Sequence, residues 1–178
     1  RLGHGGALSR LAFTWEIGRR AGVQAVKRLN PRKVETAQVP VVYDPRVSQS
    51  LPAHFAAAIN GAAVARGTTF LMDEMGKQVM AKGLSIIDDP LRPRGLRSKG
   101  FEGEGIPTQK RSLVKDGVLL SWILDLRSAR QLGLKTTGNA TRGTSSPPSP
   151  SPTNLNMEAG DISPEALISS VKQGFYVT

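Results

Sequence analysis

His54 stands in the alanine-rich run Ala53-His54-Phe55-Ala56-Ala57-Ala58-Ile59-Asn60-Gly61, and with His4 it is one of only two imidazoles in a 178-residue chain that has no cysteine. Metal-dependent hydrolysis needs about three protein ligands on zinc, an open position for water, and a carboxylate to take that water's proton. Two histidines fall short of that set. The missing thiols also exclude disulfides, thiolate nucleophiles and Cys-containing zinc sites within the chain. Glu102 and Glu104 lie two apart in a glycine-rich stretch. On an extended backbone they point the same way, as a paired acid and base would, although solvated loop charges are the plainer expectation. Asp88 and Asp89 diverge on a strand and read as turn formers before Pro90. The serines from Ser145 to Ser151 have no base near them in sequence, so a pairing with His54 is not expected.

A second kind of chemistry is electrostatic. Arg92, Arg94, Arg97 and Lys99 are interleaved with proline and glycine, which places them on an exposed loop. The plain reading is a solvated loop; the functional one is a docking surface for an acidic partner or a peptide carboxylate. The net charge of +10 also suits nucleic acid, but the bases are scattered rather than set on one periodic face, so direct nucleic-acid binding is not expected. No apolar run approaches the ~20 residues of a membrane helix, and no apolar leader opens the chain, so it reads as soluble and cytoplasmic.

These residues need elements to hold them. Ile17, Ala21, Ala25, Val26 and Leu29 recur at helical spacing and predict an amphipathic helix from Trp15 to Leu29, stopped by Asn30-Pro31. Val39 to Tyr43 reads as a strand containing a proline. Beyond the Asp44-Pro45 turn, a helix capped by Ser48 or Ser50 runs from Pro52 to Ala65, with Asn60-Gly61 able to interrupt it. Leu84 to Ile87 is a short strand, followed by a loop from Leu91 to Gly105. Ser112 to Lys115 and Val118 to Leu124 form a hairpin about Asp116-Gly117, a pair that takes the positive φ angles of a type I′ turn. Asp125 caps a helix stopped by Gly133, and Ser163-Pro164-Glu165 opens one closed by Gly174. By composition, Thr136 to Asn156 with its Ser-Pro repeats is a linker or a polyproline II segment. The expected fold is α+β, a mixed and largely antiparallel sheet with packed helices.

Several blocks resemble the PmbA/TldE branch of the TldD/PmbA family. They are Asn30-Pro31-Arg32-Lys33-Val34, Tyr43-Asp44-Pro45-Arg46-Val47, Ala58-Ile59-Asn60-Gly61-Ala62-Ala63, Ile87-Asp88-Asp89-Pro90, Arg92-Pro93-Arg94-Gly95-Leu96-Arg97-Ser98, Glu102-Gly103-Glu104-Gly105, Asp125-Leu126-Arg127-Ser128-Ala129 and Pro147-Pro148-Ser149-Pro150-Ser151-Pro152-Thr153-Asn154. The resemblance covers roughly residues 25–178 and implies a leading segment and helix over 1–30, then the family's C-terminal domain over 31–178, cut short at its end. The absence of an initiator Met and the extended segment starting at Gln173 fit an excised piece of a longer protein, whose strand edges would favour self-association.

What the resemblance implies about chemistry is negative for this chain. Catalytic members carry His-Glu-x-x-x-His here; this chain has His54, then Phe55 in place of the glutamate, Ala56, Ala57, Ala58, and Ile59 in place of the second histidine. A further cysteine ligand of those members would fall downstream of Thr178. The resemblance therefore implies no catalytic, cofactor or metal residue in this chain, with His54 as a remnant ligand position in a packed helix and zinc held by a TldD-like catalytic partner. It further implies peptide substrates, including toxins and antitoxins through which the family is named a modulator of DNA gyrase, and an ordered proline-serine tract. Arg92, Arg94, Arg97, Glu102, Glu104 and Asn154 are the candidate partner or peptide surface. The competing expectation is a non-proteolytic basic module acting on nucleic acid or a topoisomerase.

Overall fold

The computed structural model describes residues 14–178, which fall into two units, Arg1–Val39 and Pro40–Thr178. His4 and the glycine-rich opening lie outside the described residues. In the first unit the periodic stretch forms α1 (Thr14–Lys27). Glu16 in its first turn pairs with Arg19 and Arg20, each at 2.8 Å, and Asn30 beyond its end takes φ 54°. No residue of α1 is buried, and among the described residues no helix is long and apolar enough to cross a membrane.

The second unit runs β1 (Val41–Tyr43), α2 (Pro45–Ser48), α3 (Ser50–Ala58), α4 (Gly61–Ala65), β2 (Ile86–Asp88), β3 (Arg111–Lys115), β4 (Val118–Leu119), α5 (Leu126–Gln131), β5 (Ala140–Thr141), β6 (Ser149–Pro150), β7 (Leu155–Met157), α6 (Pro164–Ser170) and β8 (Phe175–Val177). Its centre is an antiparallel sheet in the order β4-β3-β2-β7. β5 pairs with β6 antiparallel, and β1 with β8 in parallel, so the sheets are mixed and largely antiparallel as expected. The extended segment after Gln173 is β8.

The expected hairpin is β3 to β4, with Asp116 at φ 50° and Gly117 at φ 79°, both positive as a type I′ turn requires. Its second strand is shorter than expected, because the backbone beyond Leu120 leaves the ladder. Ile123 donates to the Ile59 carbonyl at 3.0 Å and accepts from the Gly61 amide at 2.8 Å. That exchange lashes the segment to the break between α3 and α4. The core is Ile59, Leu71, Ile86, Leu113, Val114, Leu119, Trp122, Ile123 and Leu124 with smaller neighbours, and Phe55, Ala58, Leu155 and Met157 pack against it.

Three local expectations are corrected. Neither Ser48 nor Ser50 caps the alanine-rich helix: Ser48 ends α2, which Asp44 caps by accepting from the Arg46 amide, while α3 begins at Ser50 without a side-chain cap. α6 is capped by Ser163 as expected but stops at Ser170 rather than at Gly174, which sits where an added Cβ would lie 2.6 Å from the Pro40 carbonyl oxygen. The proline-serine tract is no free linker. It supplies β6 and leads into β7, because buried Asp88 accepts from the Thr153 amide (2.8 Å), the Thr153 hydroxyl (2.7 Å) and the Asn139 side-chain amide (2.7 Å). Asn60 adds a bond to the Pro150 carbonyl at 2.9 Å.

Candidate functional site

The alanine-rich sequence folds as two short helices because Asn60 is extended and caps α4, accepting from the Ala62 amide at 3.0 Å. α3 thereby presents three faces. Ile59, at its C-terminal end, is fully buried in the core, and half-buried Phe55 packs beside it. His54 is exposed. Ala53, Ala56, Ala57 and Asn60, at helical spacing, wall one side of a groove.

That groove has a volume of about 1020 Å³. Its other walls are the loop from Arg92 to Arg97 and the segment from Pro152 to Met157 that contains β7. Its lining includes three arginines and no carboxylate, so its field favours an anion. Asn154 shapes the arginine loop rather than standing free. Its side-chain carbonyl accepts from the Arg97 amide at 3.0 Å, and its side-chain amide donates to the Asp89 carbonyl (2.8 Å) and the Ser98 hydroxyl (2.9 Å). Arg97 is further tied to the Pro152 carbonyl at 3.4 Å. Arg92 and Arg94 are exposed, and neither guanidinium has a hydrogen-bond or ion-pair partner among the described residues. Arg94 takes φ 58°, a left-handed backbone inside the turn that Asn154 holds.

The structure thus brings Arg92, Arg94, Arg97 and Asn154 together and leaves the two glutamates out of the groove. Glu102 and Glu104 are not solvated loop charges. Glu102 is 3% exposed, and its carboxylate accepts from the amides of Glu104 (3.1 Å), Ile106 (2.9 Å) and Ala140 (2.9 Å). Glu104 accepts from the Leu126 amide at 2.8 Å, beside the first turn of α5. Both carboxylates clamp backbone rather than serve as an acid-base pair. Asp88, expected as a turn former, is 1% exposed and anchors the tract; Asp89 alone makes the turn, accepting from the Leu91 amide at 3.0 Å. Sequence reasoning missed β7 and the α3 wall as partners of the arginine loop. The only signal available was the small-residue spacing Ala53, Ala56, Ala57.

Fold and site together define an α+β domain with a basic groove beside a helix whose C-terminal end, at Phe55 and Ile59, packs into the core. The chain belongs to the PmbA/TldD family: residues 36–178 match the PmbA/TldA metallopeptidase C-terminal domain. It is 40% identical over 136 residues to metalloprotease PmbA of Escherichia coli O157:H7, covering 76% of this chain and 30% of that protein. It is 38% identical over 104 residues to a metalloprotease TldD homologue of Haemophilus influenzae, covering 58% of this chain and 22% of the relative. A crystal structure from Bacteroides thetaiotaomicron, provisionally described as a modulator of DNA gyrase, superposes with a TM-score of 0.78 at 27% identity, covering 90% of this chain and 34% of that one. The chain spans less than a third of the length of these curated relatives.

The family's description as metallopeptidase raises the question of metal, which the donors among the described residues address. His54 is exposed, position 55 is phenylalanine, and Ile59 has no accessible surface. Among the described residues no group of three or more His, Cys, Asp or Glu could hold a metal ion. The described residues do not fit a catalytic zinc, which needs roughly three ligands and a base.

Proposed function

We propose that this chain is part of a PmbA/TldE-like subunit that works beside a TldD-like catalytic partner in a peptide-processing metalloprotease, contributing substrate-binding surface rather than zinc chemistry. The observation that carries this reading is the use made of the motif helix: Ile59 is fully buried in the core and Phe55 packs on it, so the positions that would hold a ligand and a base hold the fold instead. The groove on the adjacent face of α3 supports a role in holding peptide, since it joins small apolar residues to the guanidinium groups of Arg92 and Arg94, which have no partner among the described residues. Likeness to both PmbA and TldD proteins supports a partnership within one family.

The test is co-purification of the full-length protein with its TldD-like partner, followed by peptide cleavage assayed with each alone and with both. Cleavage that requires both proteins is the expected result. Equal activity from the partner alone would remove the proposed role.

A further inference from the structure

Among the described residues, the edge of the central sheet that faces the groove has no strand beside it. β7 is the last strand of the order β4-β3-β2-β7, and its register pairs Ile86 with Met157, Ile87 with Asn156 and Asp88 with Leu155. Beyond the ends of this ladder, the Asp89 amide donates to the Asn154 carbonyl and the Glu158 amide to the Ser85 carbonyl. In an antiparallel pair the bonded residues alternate, so Asn154, Asn156 and Glu158 turn their backbone groups toward β2. Leu155 and Met157 then turn theirs outward. All three of Leu155, Asn156 and Met157 line the groove, although successive side chains of a strand alternate between faces. The groove therefore runs along the strand's edge rather than over one face.

An open edge strand is a template for another extended chain, since its unpaired amides and carbonyls recognise backbone of any sequence. The arginine loop across the groove adds a charge preference. Among the described residues Arg92 and Arg94 have no partner and no carboxylate lines the groove to neutralise them, while Asn154 and the bond from Arg97 to Pro152 fix the loop that carries them.

Resting on the reading of this chain as a peptide-holding subunit, we propose that the groove binds an acidic peptide in extended conformation, paired backbone to backbone with the outer edge of β7 while its carboxylates meet Arg92 and Arg94. Backbone pairing supplies affinity that tolerates many sequences, and the two guanidinium groups select for acid. The small side chains of Ala53, Ala56 and Ala57 leave room for the peptide's side chains beside α3.

Direct binding to the full-length protein without its catalytic partner tests this separately from cleavage. The probe is a fluorescein-labelled decapeptide alternating Glu and Val, read by anisotropy. It is compared with its Gln-for-Glu form, a C-terminally amidated form, and a form N-methylated at alternate residues. The glutamate peptide should bind about tenfold more tightly than the glutamine form, in keeping with two charge-assisted contacts at a partly wetted site. In Arg92→Gln/Arg94→Gln, an exposed and fold-neutral pair of changes, that preference should vanish while the glutamine peptide binds as before. N-methylation on the pairing register should abolish binding. Amidation should leave binding of the glutamate peptide intact, because its side-chain carboxylates meet Arg92 and Arg94; loss of binding on amidation would place recognition at the peptide's terminus and overturn the proposal. Equal binding of the glutamate and glutamine peptides, or indifference to N-methylation in both registers, overturns it. Displacement by a single-stranded oligonucleotide at lower concentration than by unlabelled peptide overturns it in favour of nucleic acid. If peptide binding fails while partner-dependent cleavage persists, this inference falls and the proposed function stands.

Discussion

Asp88 shows how one side chain decides the state of a distant segment. Its carboxylate holds three donors from Asn139 and Thr153, 51 and 65 residues away. Removing the acceptor leaves buried donors unpaired, which costs about 1–3 kcal/mol for each strongly desolvated group. Asp88→Ala is expected to destabilise the domain by roughly 3 kcal/mol and to free the tract. Faster amide exchange confined to residues 139–153 is the measurement that checks it. Asp44 makes a different residue-scale prediction. The Arg46 guanidinium and amide, with the Tyr176 hydroxyl, hold its carboxyl well below the usual carboxylate range. A depressed native value contributes stability above the unfolded value of about 3.9, and loses it as pH falls through the native value. Wild-type melting temperature should therefore drop more steeply below pH ~4 than that of Asp44→Asn. Parallel acid limbs would show that the pairing does not couple to folding.

At the scale of elements, what could be read from sequence was local. The Asp116-Gly117 turn, the caps at Asp125 and Ser163 and the stop at Gly133 depend on residues within a few positions of one another, and each stands as read. Glu102 was misjudged because one of its donors is the Ala140 amide, 38 residues on, and nothing near it in sequence announces burial. The proline-serine tract failed by composition for the same reason, and the family resemblance anticipated its order where composition did not. The arginine loop was legible as exposed charge. Its groove was not, because α3 and β7 reach it through long-range packing. The contact between α4 and α5 offers a test at this scale: a Cβ on Gly61 would lie 2.5 Å from a Leu124 methyl, 2.6 Å from the Ser128 hydroxyl and 2.8 Å from the Ile123 carbonyl oxygen. Gly61→Ala should destabilise by about 1–3 kcal/mol through overpacking, as judged by urea denaturation with an unchanged m value. Neutral substitution would show that the helices separate at little cost.

For the whole molecule, the account is a division of labour. The domain keeps the family's architecture, but Phe55 and Ile59 of the motif helix serve packing, and the groove beside them faces a sheet edge that is open, and arginines that are uncompensated, among the described residues. The proposed role, a peptide-holding partner that leaves zinc to another subunit, is drawn from that arrangement. The most direct test of this central claim is metal analysis of the full-length protein, alone and in complex with its TldD-like partner, in native form and as His54→Ala. The account predicts that zinc accompanies the catalytic partner only, and that His54→Ala leaves both the zinc content and the cleavage rate of the complex unchanged. Stoichiometric zinc in this protein purified alone, lost on replacing His54, would contradict it.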